Sequence, residues 1–320
     1  MRFSAPTPVL SRPVRVCAVQ YDLRSVSGFR EFADHVETLV DVGDDYDSDL
    51  IVFPELLGAQ LLSLVGHQLP PAEAMRALAE RQGQAFDELF TRLAVQYHRI
   101  LVAGSFPRLD GKRLLNVSSI YFPKGEPLHQ AKLHLTPAER RTWNFSPGHD
   151  LVVADTDFGT FAVAICYDVQ FPELAKVLCS DHGVQILVVP YLTDDRRGTC
   201  RVTACARARA IENQIYVVTA GMVGSLPLFT DLTSQFAQSG IYTPADFAFP
   251  MDGVATEAVP NVEQVIVADL DLAILDRARS HGSVQNFLDA QSDTLHTRFD
   301  GEVRVVPRRL GPPLIREAEA

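Results

Sequence analysis

Apolar residues recur along the chain with two periods, and the switches between them mark out its elements. Short apolar runs at 14–20 and 50–53 read as strands. Between them, Phe29, Phe32, Val36, Leu39 and Val40 form a stripe at helical spacing over 28–42. A crossover of that length suits a βαβ unit with parallel strands. A second helical stripe over 71–98 carries Leu78, Phe86, Leu89, Phe90 and Leu93 and leads into a strand at 100–104. The middle of the chain is richer in strands. Segments 117–122 and 128–135 read as a hairpin around Pro123-Lys124-Gly125-Glu126, and 151–155 and 160–165 flank a turn at Asp157-Phe158-Gly159. A helix at 172–181, a strand at 185–189, a helix at 199–213 and a strand at 215–220 follow. Strands at 240–242 and 264–270 lie on either side of a turn at Asp252-Gly253. The last ~50 residues hold few periodic segments, and Gly311-Pro312-Pro313 reads as an extended arm.

Strands alternate with helices in both halves, and no Gly/Ser-rich or charged linker divides them. The pattern predicts a single α/β domain, with helices covering two sheets packed together. A tail at 1–13 and an arm at 291–320 flank it.

Composition narrows the possible functions. Among 320 residues, 47% are hydrophobic and 22% charged, which fits a globular protein with a sizeable core. The 29 basic residues against 40 acidic give −11, so no basic surplus exists to displace counterions from a nucleic-acid backbone. Nucleic acid is therefore not expected as a partner. Cysteines 17, 166, 179, 200 and 205 form no C-x-x-C pair, which fits a reduced, cytoplasmic protein. The first fifteen residues lack a continuous apolar stretch, so no secretory signal is expected. Apolar strings such as 186–190 fall well short of the ~18 residues that a membrane span needs.

Candidate chemistry sits where strands end. The run 161–165 stops at Cys166, and Pro172 stands where a helix begins. Strand, sharp turn and helix together expose a nucleophile above a sheet. A thiol at a helix start and near a cation loses its proton more readily, although an isolated cysteine is ordinarily a buried structural residue. The run 50–54 breaks at Glu55, at the carboxyl end of a strand where α/β folds place their sites; a helix-capping carboxylate is the plainer explanation. Lys132 lies in 128–135, where alternation puts Gln130, Lys132 and His134 on one face, the pattern of a solvated edge strand. Glu139 follows Thr136-Pro137-Ala138 and fits the third helical position of a capping box.

Taken together, these residues resemble one known constellation. Phe53-Pro54-Glu55, the segment 132–139 (KLHLTPAE) and the segment 165–174 (ICYDVQFPEL) are similar, in order, to the three signature segments of the nitrilase superfamily, the carbon–nitrogen hydrolases. Segments 207–221 and 241–253 extend the likeness, which covers about 14–290. The resemblance implies an α-β-β-α sandwich with an extended C-terminal arm. It puts Glu55, Lys132 and Cys166 at the triad positions and Glu139 at the second glutamate. The implied chemistry is thiolate attack on a C–N bond, a thioester on Cys166, release of ammonia or an amine, and hydrolysis. Glu55 moves the protons, while Lys132 and the backbone N–H of Tyr167 stabilise the oxyanion. Glu139 orients substrate or water. No metal or organic cofactor is required.

The cysteine segment resembles the amidase branches. The segment 132–143, ending Arg141-Thr142-Trp143, is reminiscent of nitrile-cleaving members, and the composite resembles the Rim1-like group. A small linear amide or N-carbamoyl compound is the expected substrate. Nitrile hydrolysis by the same triad, or a non-catalytic ligand-binding or scaffold protein keeping the fold, are the alternatives. Trp143, Thr193 and Asp194 are candidate substrate contacts. His129 and His134, five apart on one strand, are expected on opposite faces and not as metal ligands. The arginines at 196, 197, 201, 207 and 209 are expected in ion pairs or at an interface, and Arg209, Glu212 and Asn213 in structural roles. A homodimer or larger homo-oligomer is expected, with the C-terminal arm wrapping a partner.

Overall fold

The computed structural model describes residues 12–65, 69–227, 229–290 and 302–308. Residues 1–11 of the expected tail, and most of the expected arm including Gly311-Pro312-Pro313, lie outside the described residues.

The first sheet begins with β1 (Val14–Leu23), β2 (Leu50–Val52), β3 (Ile100–Val102), β4 (Phe106–Asp110), β5 (Arg113–Tyr121) and β6 (Leu128–Ala131). The second contains β7 (Leu151–Asp155), β8 (Thr160–Val163), β9 (Ile186–Tyr191), β10 (Tyr216–Gly224), β11 (Gly240–Tyr242) and β12 (Val254–Glu257). The chain then returns to the first sheet as β13 (Gln264–Leu270), antiparallel to β1, and β14 (Val303–Pro307) ends beside β7 in parallel. β1, β2 and β3 run parallel, as do β8, β9 and β10. The two sheets join at one corner, where Tyr21, Asp22 and Leu23 pair with Met222, Val223 and Gly224.

Period-two alternation sorts the strand residues into layers. Val16, Ala18, Leu50, Val52, Ile100 and Val102 face inward and pack in one cluster with Ile186, Val188 and Val217 of the second sheet. Cys17, Val19, Ile51, Phe53 and Leu101 face the other way. There they meet α1 (Phe29–Asp45), α2 (Leu62–Val65) and α3 (Pro71–Tyr97) through Phe32, Val36, Leu62, Leu78, Phe86 and Phe90. A short helix, α4 (Pro137–Arg141), follows β6. On the far side, α5 (Pro172–His182) and α6 (Arg196–Glu212) cover the second sheet through Leu174, Leu178, Val202, Ala206 and Ala210. The layers are therefore α-β-β-α, as expected.

Several boundaries depart from the sequence pattern. The strand expected over 128–135 stops at Ala131, and Lys132 and Gln130 are buried instead of lying on a solvated edge. β4, with Pro107 and Arg108, was not legible as a strand; among the described residues it pairs with β5 alone, and an edge tolerates both residues. β12 is short and largely exposed, so it carries no apolar signal. The chain after 270, expected to be irregular, forms α7 (Leu272–His281), α8 (Asn286–Asp289) and β14. The Asp271 side chain caps α7 by accepting the Ile274 N–H at 2.9 Å, and Leu272, Leu275 and Ala278 are buried. A ten-residue helix offers too few turns for its stripe to stand out from chance.

Candidate active site

Three loops at strand ends converge between the sheets. β2 ends at Val52, and Pro54 and Glu55 follow. Gly104 packs under this loop at φ +62°, where a Cβ would meet the Pro54 carbonyl oxygen at 1.8 Å, so only glycine fits. Leu56 takes a left-handed φ of 50°, and its N–H donates to Ser105 Oγ at 2.8 Å. The loop that aims Glu55 is thus pinned from below.

β8 ends at Val163, and Cys166 adopts φ +49° before a 3-10 turn over Cys166–Gln170 leads into α5 at Pro172. A left-handed cysteine costs roughly 1–2 kcal/mol and persists where its surroundings over-determine it. Arg209 of α6 supplies part of that restraint. It is buried, donating to the carbonyls of Val169 (3.0 Å) and Gln170 (3.3 Å) and pairing with Glu212 at 2.7 Å. Asn213 Nδ2 in turn donates to the Arg209 carbonyl. The structural reading of these three residues holds. Arg197 pairs with Asp195, and Arg207 donates to the Asp252 carbonyl.

The third loop follows β6. The Lys132 N–H donates to the Asn116 carbonyl at 2.9 Å. Asp168, two residues past the cysteine and 1% exposed, accepts the N–H groups of Leu133 (3.2 Å) and His134 (2.7 Å), and lies 2.9 Å from His134 Nδ1. The elbow therefore clamps the lysine loop directly. His129 lies apart, against Ser119 Oγ. Among the described residues, no group of three or more His, Cys, Asp or Glu is arranged to hold a metal.

The four expected residues meet in the interior. Glu55, Lys132, Glu139 and Cys166 are 3%, 1%, 2% and 5% exposed. Lys132 Nζ lies 2.7 Å from Glu55 Oε1 and 2.9 and 2.8 Å from the two Glu139 oxygens. Asn116 Nδ2 donates to Glu55 Oε1 at 2.9 Å and to Glu139 Oε1 at 3.0 Å. Glu139 also completes the capping box with Thr136, its Oε2 accepting the Thr136 N–H at 2.8 Å. Glu139 thus forms the expected capping box and at the same time lies against Lys132. All four of its acceptor positions face protein donors, which leaves none for substrate or water. Glu55 Oε2 accepts the Leu192 N–H at 3.0 Å. Cys166 Sγ lies 3.7 Å from the Leu192 carbonyl oxygen.

Burial governs the electrostatics. It pushes the Cys166 thiol well above its ordinary range; the Glu55 charge adds to this and Lys132 opposes it. The expectation of an easily ionised thiol is therefore overturned, because desolvation of the sulfur outweighs the nearby cation. Burial also raises Glu55, with Lys132 opposing and Glu139 adding. For Lys132, burial works against the charge, but the two carboxylates outweigh it and hold the ammonium well above the usual lysine range. Burial raises Glu139 too, yet Lys132 and the hydrogen bonds from Thr136 and Asn116 hold it below the ordinary carboxylate value.

The site opens into a cavity of about 570 Å³ lined by Glu55, Lys132, Trp143, Cys166, Tyr167, Thr193 and Asp194 among others. Trp143 is buried, and its Nε1 donates to Asp231 at 3.0 Å, which fixes the ring in the wall. The Thr193 hydroxyl is engaged with the Phe236 carbonyl and Thr199 Oγ1. Asp194 is held above its ordinary value, first by burial and then by Asp231 and Asp195. Sequence reasoning missed Asn116 and Asp168. A polar residue of low strand propensity in the centre of an otherwise pairing strand was the available signal for Asn116.

The Carbon-nitrogen hydrolase family model matches residues 15–280. The Bacillus subtilis protein named "Probable hydrolase YhcX" is 42% identical over 288 residues, 90% of this chain and 55% of its own length. The chain thus spans little more than half of that relative. Omega-amidase NIT3 of Saccharomyces cerevisiae is 26% identical over 309 residues, covering 91% of this chain and 96% of the relative. The crystal structure of S. cerevisiae Nit3, a member of branch 10 of the nitrilase superfamily, superposes with a TM-score of 0.65 at 25% identity, over 87% of this chain and 96% of that one. An amidase from Nesterenkonia sp. shares the fold at a TM-score of 0.68 and 21% identity, over 87% and 96% of the two chains.

Proposed function

The chain belongs to the carbon–nitrogen hydrolase family, and from that premise we propose that it hydrolyses a non-peptide C–N bond of a small linear amide or N-carbamoyl compound through a cysteine thioester. One observation carries this reading. A carboxylate, an ammonium and a thiol from three loops distant in sequence face one cavity, with the carboxylate and the thiol held against the N–H and the carbonyl of the same residue, Leu192.

With Lys132 charged and Glu139 ionised, a single proton is left to divide between Glu55 and Cys166. It rests on sulfur in the resting site, because the thiol is the weaker acid of the two and burial pushes it further up. Glu55 Oε1 is filled by Lys132 and Asn116, so Oε2 takes the thiol proton as sulfur attacks the carbonyl carbon. Lys132 Nζ can serve both Glu139 oxygens with one shared N–H, which leaves an N–H for the developing oxyanion beside the Tyr167 backbone N–H. Glu55 returns the proton to the leaving nitrogen, and ammonia or an amine departs. Glu55 then draws a proton from water, the hydroxide attacks the thioester, and the acid leaves with the thiol restored. In this scheme Glu139 holds Lys132 in place. Trp143, Thr193 and Asp194 wall the space for the acyl group, and the omega-amidase relatives favour amides over nitriles.

The test is an ammonia-release screen over linear amides, N-carbamoyl amino acids and nitriles, with mass-spectrometric trapping of the acyl group on Cys166. Turnover of amides or carbamoyl compounds with an acyl adduct on Cys166 is the expected outcome. Turnover of nitriles alone replaces the substrate assignment. No turnover, with Cys166 alkylated by iodoacetamide no faster than the other thiols, refutes the enzyme and leaves a binding or scaffold protein.

A homodimer or larger assembly is also expected. Phe247 is 95% exposed and Met251 fully exposed, an apolar pair that a monomer leaves in water. Sedimentation at micromolar concentration should show a species of at least twice 35.3 kDa; a lone monomer boundary overturns the expectation.

A further inference from the structure

We propose that Asn116 is a positioning residue that keeps Glu55 ionised beside the thiol and so makes Glu55, and not Glu139, the base. The inference rests on the thiol chemistry proposed above, and it concerns a residue that never touches substrate. Asn116 is fully buried in β5, and its one amide nitrogen reaches Oε1 of both carboxylates, at 2.9 and 3.0 Å. Its own carbonyl receives the Lys132 N–H, so a single residue sets the backbone of the cation and the side chains of both anions. Asn116 Oδ1 has no hydrogen-bond partner, a cost accepted where both amide hydrogens are committed to charged acceptors.

Glu55 needs that donor more than Glu139 does. The titratable groups facing it are Lys132 after β6, Glu139 on α4 and the Cys166 thiol at the elbow, and Tyr191 of β9 is within electrostatic reach of that thiol. Glu139 has the Thr136 N–H and both Lys132 contacts as well as Asn116. Glu55 has one Lys132 contact, the Leu192 N–H and Asn116, and burial already favours its neutral form. Losing the Asn116 donor therefore neutralises Glu55 first. A neutral Glu55 accepts no proton from sulfur.

The experiment follows the alkylation rate of Cys166 by iodoacetamide against pH in the full-length protein, with the adduct mapped by peptide mass spectrometry. Where a substrate is known, kcat and KM are followed as well. Asn116→Leu removes the donor, Asn116→Asp replaces it by a third carboxylate, and Asn116→Ser, a smaller change, keeps a hydroxyl donor. The acid limb should move to higher pH by about one unit in Asn116→Leu, a tenfold change in the ionisation equilibrium. The shift should be larger in Asn116→Asp and smaller in Asn116→Ser. kcat should fall ten- to a hundredfold at neutral pH, with KM changed less than threefold. An acid limb unmoved in folded Asn116→Ser and Asn116→Leu proteins, judged by their thermal transitions, overturns the proposal and leaves Asn116 a packing residue. The thiol chemistry stands or falls separately, on whether Cys166 is required for turnover.

Discussion

Cys166→Ala should abolish ammonia release from every substrate the wild-type protein turns over, with kcat down by about 10⁴-fold or more, while the fold survives. Cys166 sits at φ +49°, and alanine carries the same steric cost there as cysteine, so the strain at the elbow is unchanged. The restraints on the elbow come from Arg209 and Asp168, which the substitution leaves in place. A thermal midpoint within a few degrees of wild type is therefore expected. Cys166→Ser should be nearly as inactive. Its hydroxyl is far less acidic than a thiol, and a carboxylate is too weak a base to activate it. Stopped assays and intact-mass measurements check both variants, since the alanine protein should accumulate no acyl adduct. Turnover within tenfold of wild type in Cys166→Ala would sink the thioester route.

Lys132→Met should damage both activity and stability. Removing the donor to the oxyanion costs roughly 10²- to 10³-fold in kcat by itself. The same change leaves two buried carboxylates with no cation, and breaking a buried pair this way costs about 3–5 kcal/mol. The pH dependence gives the mechanism away. In the wild type, Glu139 lies below its ordinary value, so its contribution is present above the unfolded-state pKa and is lost as pH falls through the folded-state one. Glu55 lies above its ordinary value, so its burial disfavours the fold once pH rises past the unfolded-state pKa, and loss of Lys132 deepens that penalty. Both effects put the full deficit of Lys132→Met at neutral pH. They shrink it below roughly pH 4.5, where the unfolded carboxyls take up protons as well. Denaturant titrations at pH 7 and pH 4 measure the difference. A deficit equal at both values would mean that lost packing, and not lost charge, explains the variant.

The sandwich and most of its elements were legible because the central strands are short apolar runs, buried on both faces, and the longer helices carry a stripe. The agreement is closest where a long helix packs on a sheet, as for α1 and α3. It fails at β4, where Pro107 and Arg108 interrupt the apolar pattern, at β12, which is largely exposed, and at α7, which is too short for its period to register. Glu55 and Cys166 were legible as residues at which an apolar run stops, and Lys132 and Glu139 through their spacing and their likeness to a known family.

The bonds between those residues were not legible. Glu139 reads as a capping box along the chain and is one, but only the fold brings Lys132 against its other face. Lys132 reads as a surface lysine, and only the tertiary packing over the face it shares with Leu128 and Gln130 puts it inside. Asn116 and Asp168 were passed over because their partners lie 23 to 61 and 34 to 35 residues away in sequence. Local sequence fixes which groups are available, since a backbone's pattern and a residue's chemistry are properties of short segments. Tertiary structure alone decided their electrostatic surroundings. Desolvation and the distance to neighbouring charges push the Cys166 thiol up and hold the Glu139 carboxyl down, and no short segment of sequence encodes either.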